Sequence, residues 1–145
     1  MLFRSSELGR VGEMRGRRVI RYTEADDLSS PDTVKRALRD IRARRGVHLH
    51  GSIPCTPWTA WQRVNLSKAK PETRDRILAE REASLGYVRT FLRLGRAVKA
   101  RGGSVSFEWP RHCEGWREGV VVEIDRKSTR LNSSHSSVSR MPSSA

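Results

Sequence analysis

Residues 47–57 read VHLHGSIPCTP, a strand-like pattern that runs into a proline-rich loop. Val47, Leu49 and Ile53 alternate with polar side chains, the pattern of a β-strand that buries one face. The two prolines that follow end the strand in a tight loop. A second stretch of this kind, SVSFEW at residues 104–109, is broken by the next proline. The chain is therefore expected to contain at least two short strands, each running into a loop with chemically reactive side chains.

Helical spacing accounts for the sequence between these strands. Ser30 is expected to cap a helix that begins at Pro31, continues into the basic residues 42–45 and is stopped by Gly46. A much longer apolar stripe predicts a helix over about residues 74–101, ended by a pair of glycines. RVIRY, residues 18–22, is rich in β-branched and aromatic side chains and is expected to form a first strand.

The order strand, helix, strand, helix, strand predicts an α/β fold with a parallel sheet, a partial Rossmann-like arrangement of the methyltransferase type. In such sheets the ligand lies at the carboxyl ends of the strands. Those ends are residues 25–27, 54–56 and 108–110. The sequence therefore predicts a site at that edge.

Charge is the strongest compositional signal. The chain has 29 Lys and Arg against 16 Asp and Glu, a formal net charge of +13. Such an excess favours nucleic acid as a partner, although basic residues also solvate helix faces.

Two cysteines are too few for a disulfide scaffold and lack metal-ligand spacing, so no metal is expected. Without a long apolar run or a signal-peptide core, we expect an intracellular protein, nuclear or cytoplasmic, with no membrane contact. The oligomeric state stays open.

The end of the chain has a different character. Residues 125–145, DRKSTRLNSSHSSVSRMPSSA, resemble the translation of an indexed sequencing adapter. We expect this range to be disordered and the natural reading frame to be truncated near Ile124. Removing its four basic residues and one acidic residue leaves a net charge of about +10. The expected organisation is a basic linker or ragged start at 1–17, a partial domain at 18–124 and the adapter-like tail.

The loop after the strand carries a family resemblance. Pro54-Cys55-x-x-Trp58-Thr59 resembles the Pro-Cys-x-x-Phe-Ser motif of cytosine carbon-5 methyltransferases. The resemblance implies that the Cys55 thiolate attacks ring carbon six of cytosine and activates carbon five toward the methyl group of S-adenosylmethionine. It also implies that Pro54, Trp58 and Thr59 lie on the substrate side.

The same resemblance assigns three carboxylates. Phe107-Glu108-Trp109-Pro110 stands where that family has a strand ending in Glu-Asn-Val, so Glu108 is implied as the acid that protonates the ring nitrogen. Trp109 and Pro110 depart from that pattern. The acidic turn at Asp26 and Asp27 resembles the contact with the adenine of the methyl donor, with Asp27 the better match.

A closer resemblance covers about residues 21–122. It is to uncharacterised methyltransferase-like segments of protist genomes, often within retroelement polyproteins. Four motifs carry it: Asp-Leu-Ser at 27–29, Ile-Pro-Cys-Thr at 53–56, Trp-Gln-x-x-Asn at 61–65, and Glu-Trp-Pro-x-x-Cys-x-x-Trp at 108–116. Apart from the resemblance, Trp58, Trp61, Trp109 and Trp116 are candidates for a platform on which bases stack. No Gly-rich donor loop follows a first strand, so we expect this fragment to be inactive.

Other interpretations stay open. Cys55 is equally a small buried hydrophobe, and the tryptophans are equally core residues. An amino-methyltransferase is a second enzymatic interpretation, with Ser-Ile-Pro-Cys at 52–55 in place of Asp-Pro-Pro-Tyr. A non-catalytic, retroelement-derived remnant that binds nucleic acid is the alternative from another class. His48 and His50 share one strand face and are interpreted as structural.

Overall fold

The computed structural model describes residues 7–128 of the chain, which form a mixed α/β fold. Its five helices within that range are α1 (Glu7–Met14), α2 (Pro31–Arg42), α3 (Ala60–Lys68), α4 (Pro71–Lys99) and α5 (Gly119–Ser128). Its two strands there are β1 (His48–Ser52) and β2 (Ser104–Glu108). Short 3-10 turns precede α2, α3 and α5.

β1 and β2 pair in parallel to form a two-stranded sheet. The register runs from His48 opposite Ser104 to Ser52 opposite Glu108. Because the chain must return to the same edge to start a parallel strand, α3 and α4 form the crossover between them. The prediction of a parallel α/β arrangement is therefore confirmed at this coarse level.

The long helix α4 provides the support for the sheet. At 29 residues it is about 43 Å long, against about 17 Å for a five-residue strand. Its carboxyl-terminal half packs on the apolar face of the sheet, where Gly95 lies close to Val105 and Leu49. Its amino-terminal half extends past the carboxyl edge of the strands.

One close approach fixes the distance between helix and sheet. Gly51 of β1 faces Phe91 of α4, and a Cβ atom at Gly51 would lie 2.4 Å from a ring carbon of Phe91. Phe91 in turn packs on Phe107 of β2, with ring centroids 5.2 Å apart. The apolar face thus accepts an aromatic side chain because one position of β1 has no side chain.

The core joins α2, α4, α5 and the apolar face of the sheet. Its buried apolar side chains come from every described element except α1 and α3. The largest fully buried ones are Tyr22, Leu49, Ile77, Val88, Phe91, Leu94, Val98 and Val121. None of the described helices is long and apolar enough to span a membrane.

The predicted first strand is absent, which corrects the sequence analysis. Residues 18–22 have no ladder partner within the described range. Tyr22 is instead held by its side chain against α2, since its hydroxyl donates to Asp40 at 2.6 Å and Arg36 lies over its ring. Strand propensity is a weak preference, and this side-chain anchoring overrides it.

The helix ends were predicted well, and three helices, α1, α3 and α5, were not predicted. Gly46 and Gly102 both adopt positive φ just beyond α2 and α4. Ser30 lies at the predicted cap position of α2, but its side chain makes no capping hydrogen bond. α1 lies within the range expected to be a linker. α3 has no buried residue, so its sequence carries no apolar stripe.

The expected tail only partly overlaps the described residues. α5 continues to Ser128, so its last four residues fall within the adapter-like range. Residues 129–145, together with residues 1–6, lie outside the described part of the chain.

The contact between Gly51 and Phe91 predicts opposite effects for two glycine substitutions. Gly51→Ala should lower the free energy of unfolding by about 1–3 kcal/mol, because the new methyl group overpacks the helix–sheet contact. Gly86→Ala on α4 has open space around it and should raise that free energy by up to about 1 kcal/mol. Urea denaturation measures both. Equal effects of the two substitutions would contradict the packing described.

Candidate functional site

The carboxyl edge of the sheet brings together the two residues proposed for chemistry. Ser52 and Glu108 form the last rung of the parallel pair. Cys55 follows Ser52 by three residues, so its loop leaves the same edge at which Glu108 ends β2. Pro54 and Glu108 are exposed and Cys55 is half-buried. The parallel topology therefore places a thiol and a carboxylate at one edge, as the sequence predicts.

The loop after Cys55 is fixed to the extended half of α4. The indole Nε1 of Trp58 donates to the hydroxyl of Ser84 at 3.0 Å, a buried contact. Arg81 donates from Nε to the carbonyl of Pro57 at 2.9 Å, and its guanidinium lies 4.8 Å from the centroid of the Trp58 ring. The position of Cys55 thus depends on a helix that follows it in the sequence.

A carboxylate between two arginines ties this loop to the one after β2. Glu114 lies 3.4 Å from Arg81 and 3.5 Å from Arg63, measured between charged atoms. Arg81 is mostly buried, whereas the side chain of Arg63 is 70 % exposed. The buried half of this network is the more stabilising half, because exposed ion pairs contribute little. Sequence analysis did not single out these residues.

Trp109 fixes the strand end that precedes Pro54. Its Nε1 donates to the carbonyl of Ile53 at 2.7 Å, and its ring packs 6.3 Å from that of Trp58. The two rings fit side by side only because Gly115 has no side chain, since a Cβ there would lie 2.4 Å from Trp109 and 3.1 Å from Trp58.

The motif at residues 108–116 closes on itself around one carbonyl group. The oxygen of Pro110 accepts from the backbone N–H of Cys113 at 2.9 Å and from the indole of Trp116 at 2.9 Å. The Trp116 ring then meets Trp109 edge-on at 5.7 Å. The spacing Trp-Pro-x-x-Cys-x-x-Trp therefore has a complete structural explanation as a packed turn.

Burial corrects the roles proposed for two tryptophans. Trp58 is 2 % exposed and Trp109 is 7 % exposed, so neither presents a face on which a base can stack. Trp61 differs, because it is 78 % exposed on α3. The Thr59 hydroxyl donates to the carbonyl of Thr56 and so stabilises the turn. Within the predicted substrate side, Pro54 and Trp61 are thus the exposed members.

The acidic turn forms a local structure before α2. Asp26 accepts from the backbone N–H of Thr23 at 2.8 Å, which is the largest cause lowering the pKa of Asp26, and it pairs with Arg36. Asp27 has φ 39° and accepts from the N–H and hydroxyl of Ser29. None of these bonds reaches Cys55 or Glu108.

These contacts bear on whether the described residues can bind S-adenosylmethionine, the methyl donor that the resemblance implies. Both carboxylates of the acidic turn are already occupied by neighbouring groups, and no strand leads into that turn within residues 7–128. The positive-φ glycines of this range follow helices instead of opening a phosphate- or methionine-binding turn after a strand. The described residues therefore do not fit this donor, which stays a prediction of the resemblance.

His50 is the residue beside Glu108 that sequence analysis interpreted as merely structural. Its Nε2 lies 3.5 Å from the Glu108 carboxylate, while the side chain is only 9 % exposed. Burial lowers the pKa of His50, and the neighbouring carboxylate opposes that shift. Strand alternation puts both residues on one face, so the parallel register is the signal that predicts their contact. No group of three His, Cys, Asp or Glu suited to a metal is found in the described range.

The two thiols differ in accessibility, which predicts two rates of modification. Cys113 is buried, and burial raises the pKa of its thiol to about 11, so at pH 8 about one thousandth is thiolate. Half-buried Cys55 should therefore react first with Ellman's reagent. Cys55→Ser should remove the fast phase and Cys113→Ser should retain it. A single rate for both thiols, or a fast phase that survives Cys55→Ser, would contradict this assignment.

The chain matches no protein-family model, no curated protein and no solved structure. A function for it must therefore be argued from its own side chains.

Proposed function

We propose that this chain binds nucleic acid through the amino edge of its sheet. The observation that carries the proposal is a concentration of arginines where α2 and α4 end. Arg42, Arg44 and Arg45 lead into β1, and Arg101 leads into β2. The guanidinium of Arg101 donates to the carbonyl of Arg44 at 3.2 Å, so the two segments are in contact. We call these four residues the amino-edge cluster.

The cluster is not neutralised by the chain around it. Within residues 7–128, none of its four arginines forms an ion pair with a carboxylate, whereas other arginines of α2 and α4 pair with Asp26, Glu82 and Glu123. Helix dipoles favour cations at these ends by about 0.3–1 kcal/mol each. Two helix dipoles do not offset the repulsion among four neighbouring arginine charges. The phosphates of a nucleic acid would supply the negative charge that balances them.

Nucleic-acid binding agrees with two other features of the chain, its net charge and its lack of a recognisable donor site within residues 7–128. The net charge of +13 supports long-range attraction to a polyanion. The donor-binding residues that a methyltransferase needs are not found in the described range, and binding does not need them. The proposal corresponds to the non-catalytic, retroelement-derived remnant among the interpretations of the sequence.

Charge removal at two places tests the proposal. Arg42→Gln, Arg45→Gln and Arg101→Gln together should weaken binding of a fluorescent 20-nucleotide strand at least tenfold in 0.1 M salt. The slope of log affinity against log salt should fall by about 2–3, since each lost phosphate contact removes about 0.7–0.9. Fluorescence anisotropy over a salt series measures both quantities.

A matched triple variant provides the control. Lys70→Gln, Arg74→Gln and Arg76→Gln remove the same charge from the start of α4, on residues that are exposed. This variant should change affinity less than about threefold. Equal losses in the two triple variants would show diffuse attraction without a site, and no binding by the unmodified chain would overturn the proposal.

A second candidate function is supported by the shared edge of Cys55 and Glu108. Here the resemblance to cytosine carbon-5 methyltransferases applies to the first half of the reaction, which needs no donor. The Cys55 thiolate adds to carbon six while Glu108 protonates the ring nitrogen. Carbon five then takes a proton from water and loses its original proton to water. Glu108 takes back the ring-nitrogen proton as the thiolate leaves, which restores the cytosine. The net result is exchange of one ring hydrogen with solvent.

Deuterium exchange at carbon five of cytosine tests this candidate without S-adenosylmethionine. A cytosine-containing oligonucleotide in D2O should gain deuterium in the presence of the unmodified chain and should not with Cys55→Ser or Glu108→Gln. Mass spectrometry of the released nucleosides measures the exchange, and Cys113→Ser is the control thiol variant. Exchange at the buffer rate, or exchange that survives Cys55→Ser, would remove this candidate for the chain.

A further inference from the structure

Serine and histidine side chains alternate in one hydrogen-bonded row on the polar face of the sheet. His48 Nδ1 lies 2.8 Å from the hydroxyl of Ser104, and His48 Nε2 lies 3.0 Å from that of Ser106. The Ser106 hydroxyl also lies 2.8 Å from His50 Nδ1. His50 Nε2 then faces the Glu108 carboxylate at 3.5 Å. The row runs from the amino edge to the carboxyl edge.

The last member of the row is incompletely bonded. His50 Nε2 is a buried atom with no hydrogen-bond partner, and the residue is 7 % exposed. Buried polar atoms in native proteins are nearly always bonded, so an exception calls for an explanation. The nearest polar group is Glu108, whose side chain is 52 % exposed at the candidate site. The unbonded Nε2 of His50 therefore faces Glu108, the carboxylate to which the resemblance gives the role of acid.

Hydrogen-bond direction couples the members of the row. Burial lowers the pKa of both histidines and so favours the neutral ring, which carries one N–H. If His50 Nε2 carries the proton toward Glu108, its Nδ1 must accept from the Ser106 hydroxyl. Ser106 oxygen then accepts from His48 Nε2, and His48 Nδ1 accepts from Ser104. Every donor points toward Glu108.

The opposite direction is consistent only with a different state of Glu108. If His50 Nδ1 donates to Ser106, a bare Nε2 lone pair faces the carboxylate, and the two repel. The repulsion disappears when Glu108 is protonated and donates to Nε2. The donor–acceptor direction of the hydrogen bonds in the row is thus coupled to the protonation state of Glu108.

We propose that this row is a proton relay, in which Ser104, His48, Ser106 and His50 carry protons between solvent at the amino edge and Glu108 at the carboxyl edge. One transfer moves the Nε2 proton of His50 to Glu108, the hydroxyl proton of Ser106 to His50 Nδ1 and the Nε2 proton of His48 to Ser106. The hydroxyl proton of Ser104 moves to His48 Nδ1, and water restores it at exposed Ser104.

The relay deepens the second candidate function and is independent of nucleic-acid binding. It gives Glu108 a second route, from the amino edge of the sheet, by which to regain the proton that it donates to a ring nitrogen of a base. His50 and Ser106 are positioning residues in this scheme, because they act through Glu108.

Imidazole tautomers in the full chain test the relay without any substrate. Long-range nitrogen–proton NMR spectra should show His48 and His50 both protonated at Nε2 in the unmodified chain. Glu108→Ala removes the acceptor and should change the tautomer ratio of His48, which is three hydrogen-bond links away. In a Ser106→Ala background the same Glu108→Ala change should leave His48 unaltered.

Two further variants separate a relay from a local disturbance. Ser106→Thr keeps the hydroxyl and should restore the response of His48, while Ser52→Ala alters the same face outside the row and should leave both histidines unchanged. A His48 that ignores Glu108→Ala, or that responds equally without the Ser106 hydroxyl, would overturn the relay. Loss of cytosine exchange with intact tautomer coupling would remove the second candidate function and keep the relay.

Discussion

The parallel pairing of β1 and β2 determines how the helices pack and where the polar side chains lie. Side chains alternate along each strand, so the pair has one apolar face and one polar face. Because both strands run the same way, their ends also form two chemically different edges. The apolar face packs on α4 through the contact between Gly51 and Phe91. The polar face carries the serine–histidine row. A shift of register by one residue would exchange the two faces and destroy both arrangements.

The length of α4 is the second determinant, because it gives the loops at the carboxyl edge a rigid surface. Ser84 and Arg81, one turn apart along the extended half of α4, hold the side chain of Trp58 and the carbonyl of Pro57. Trp109 holds the end of β1 from the other side. The tryptophans therefore act as supports that fix where Cys55 lies, and this accounts for their spacing without any contact to a base. Support of this kind is what a site on loops needs if its geometry is to be precise.

The sequence predicted those features that follow from local pattern and chain topology. Alternation predicted β1 and β2, apolar spacing predicted α4, and the rule for parallel strands predicted that Cys55 and Glu108 share an edge. It failed where a side-chain contact with a distant element decided the outcome. Tyr22 is held by Asp40 on α2, so residues 18–22 do not form a strand. The burial of Trp58 depends on Ser84, 26 residues later, and no local pattern reveals it. Helix α3 buries nothing, so no apolar stripe marked it.

The alternation in β1 also differs from the pattern expected of a doubly wound fold. Strands covered on both faces read as nearly continuous apolar runs, since helices pack on either side. In β1, His48, His50 and Ser52 occupy every second position, and a second helical layer would have to bury imidazoles and hydroxyls. Ser104 and Ser106 on β2 bond three of the four imidazole nitrogens within the sheet itself. The polar face is therefore compatible with partial exposure to solvent, where His50 Nδ1 is bonded to Ser106 and His50 Nε2 faces the Glu108 carboxylate at 3.5 Å. One pattern in the sequence thus accounts for both the apolar face that packs on α4 and the polar face that carries the serine–histidine row.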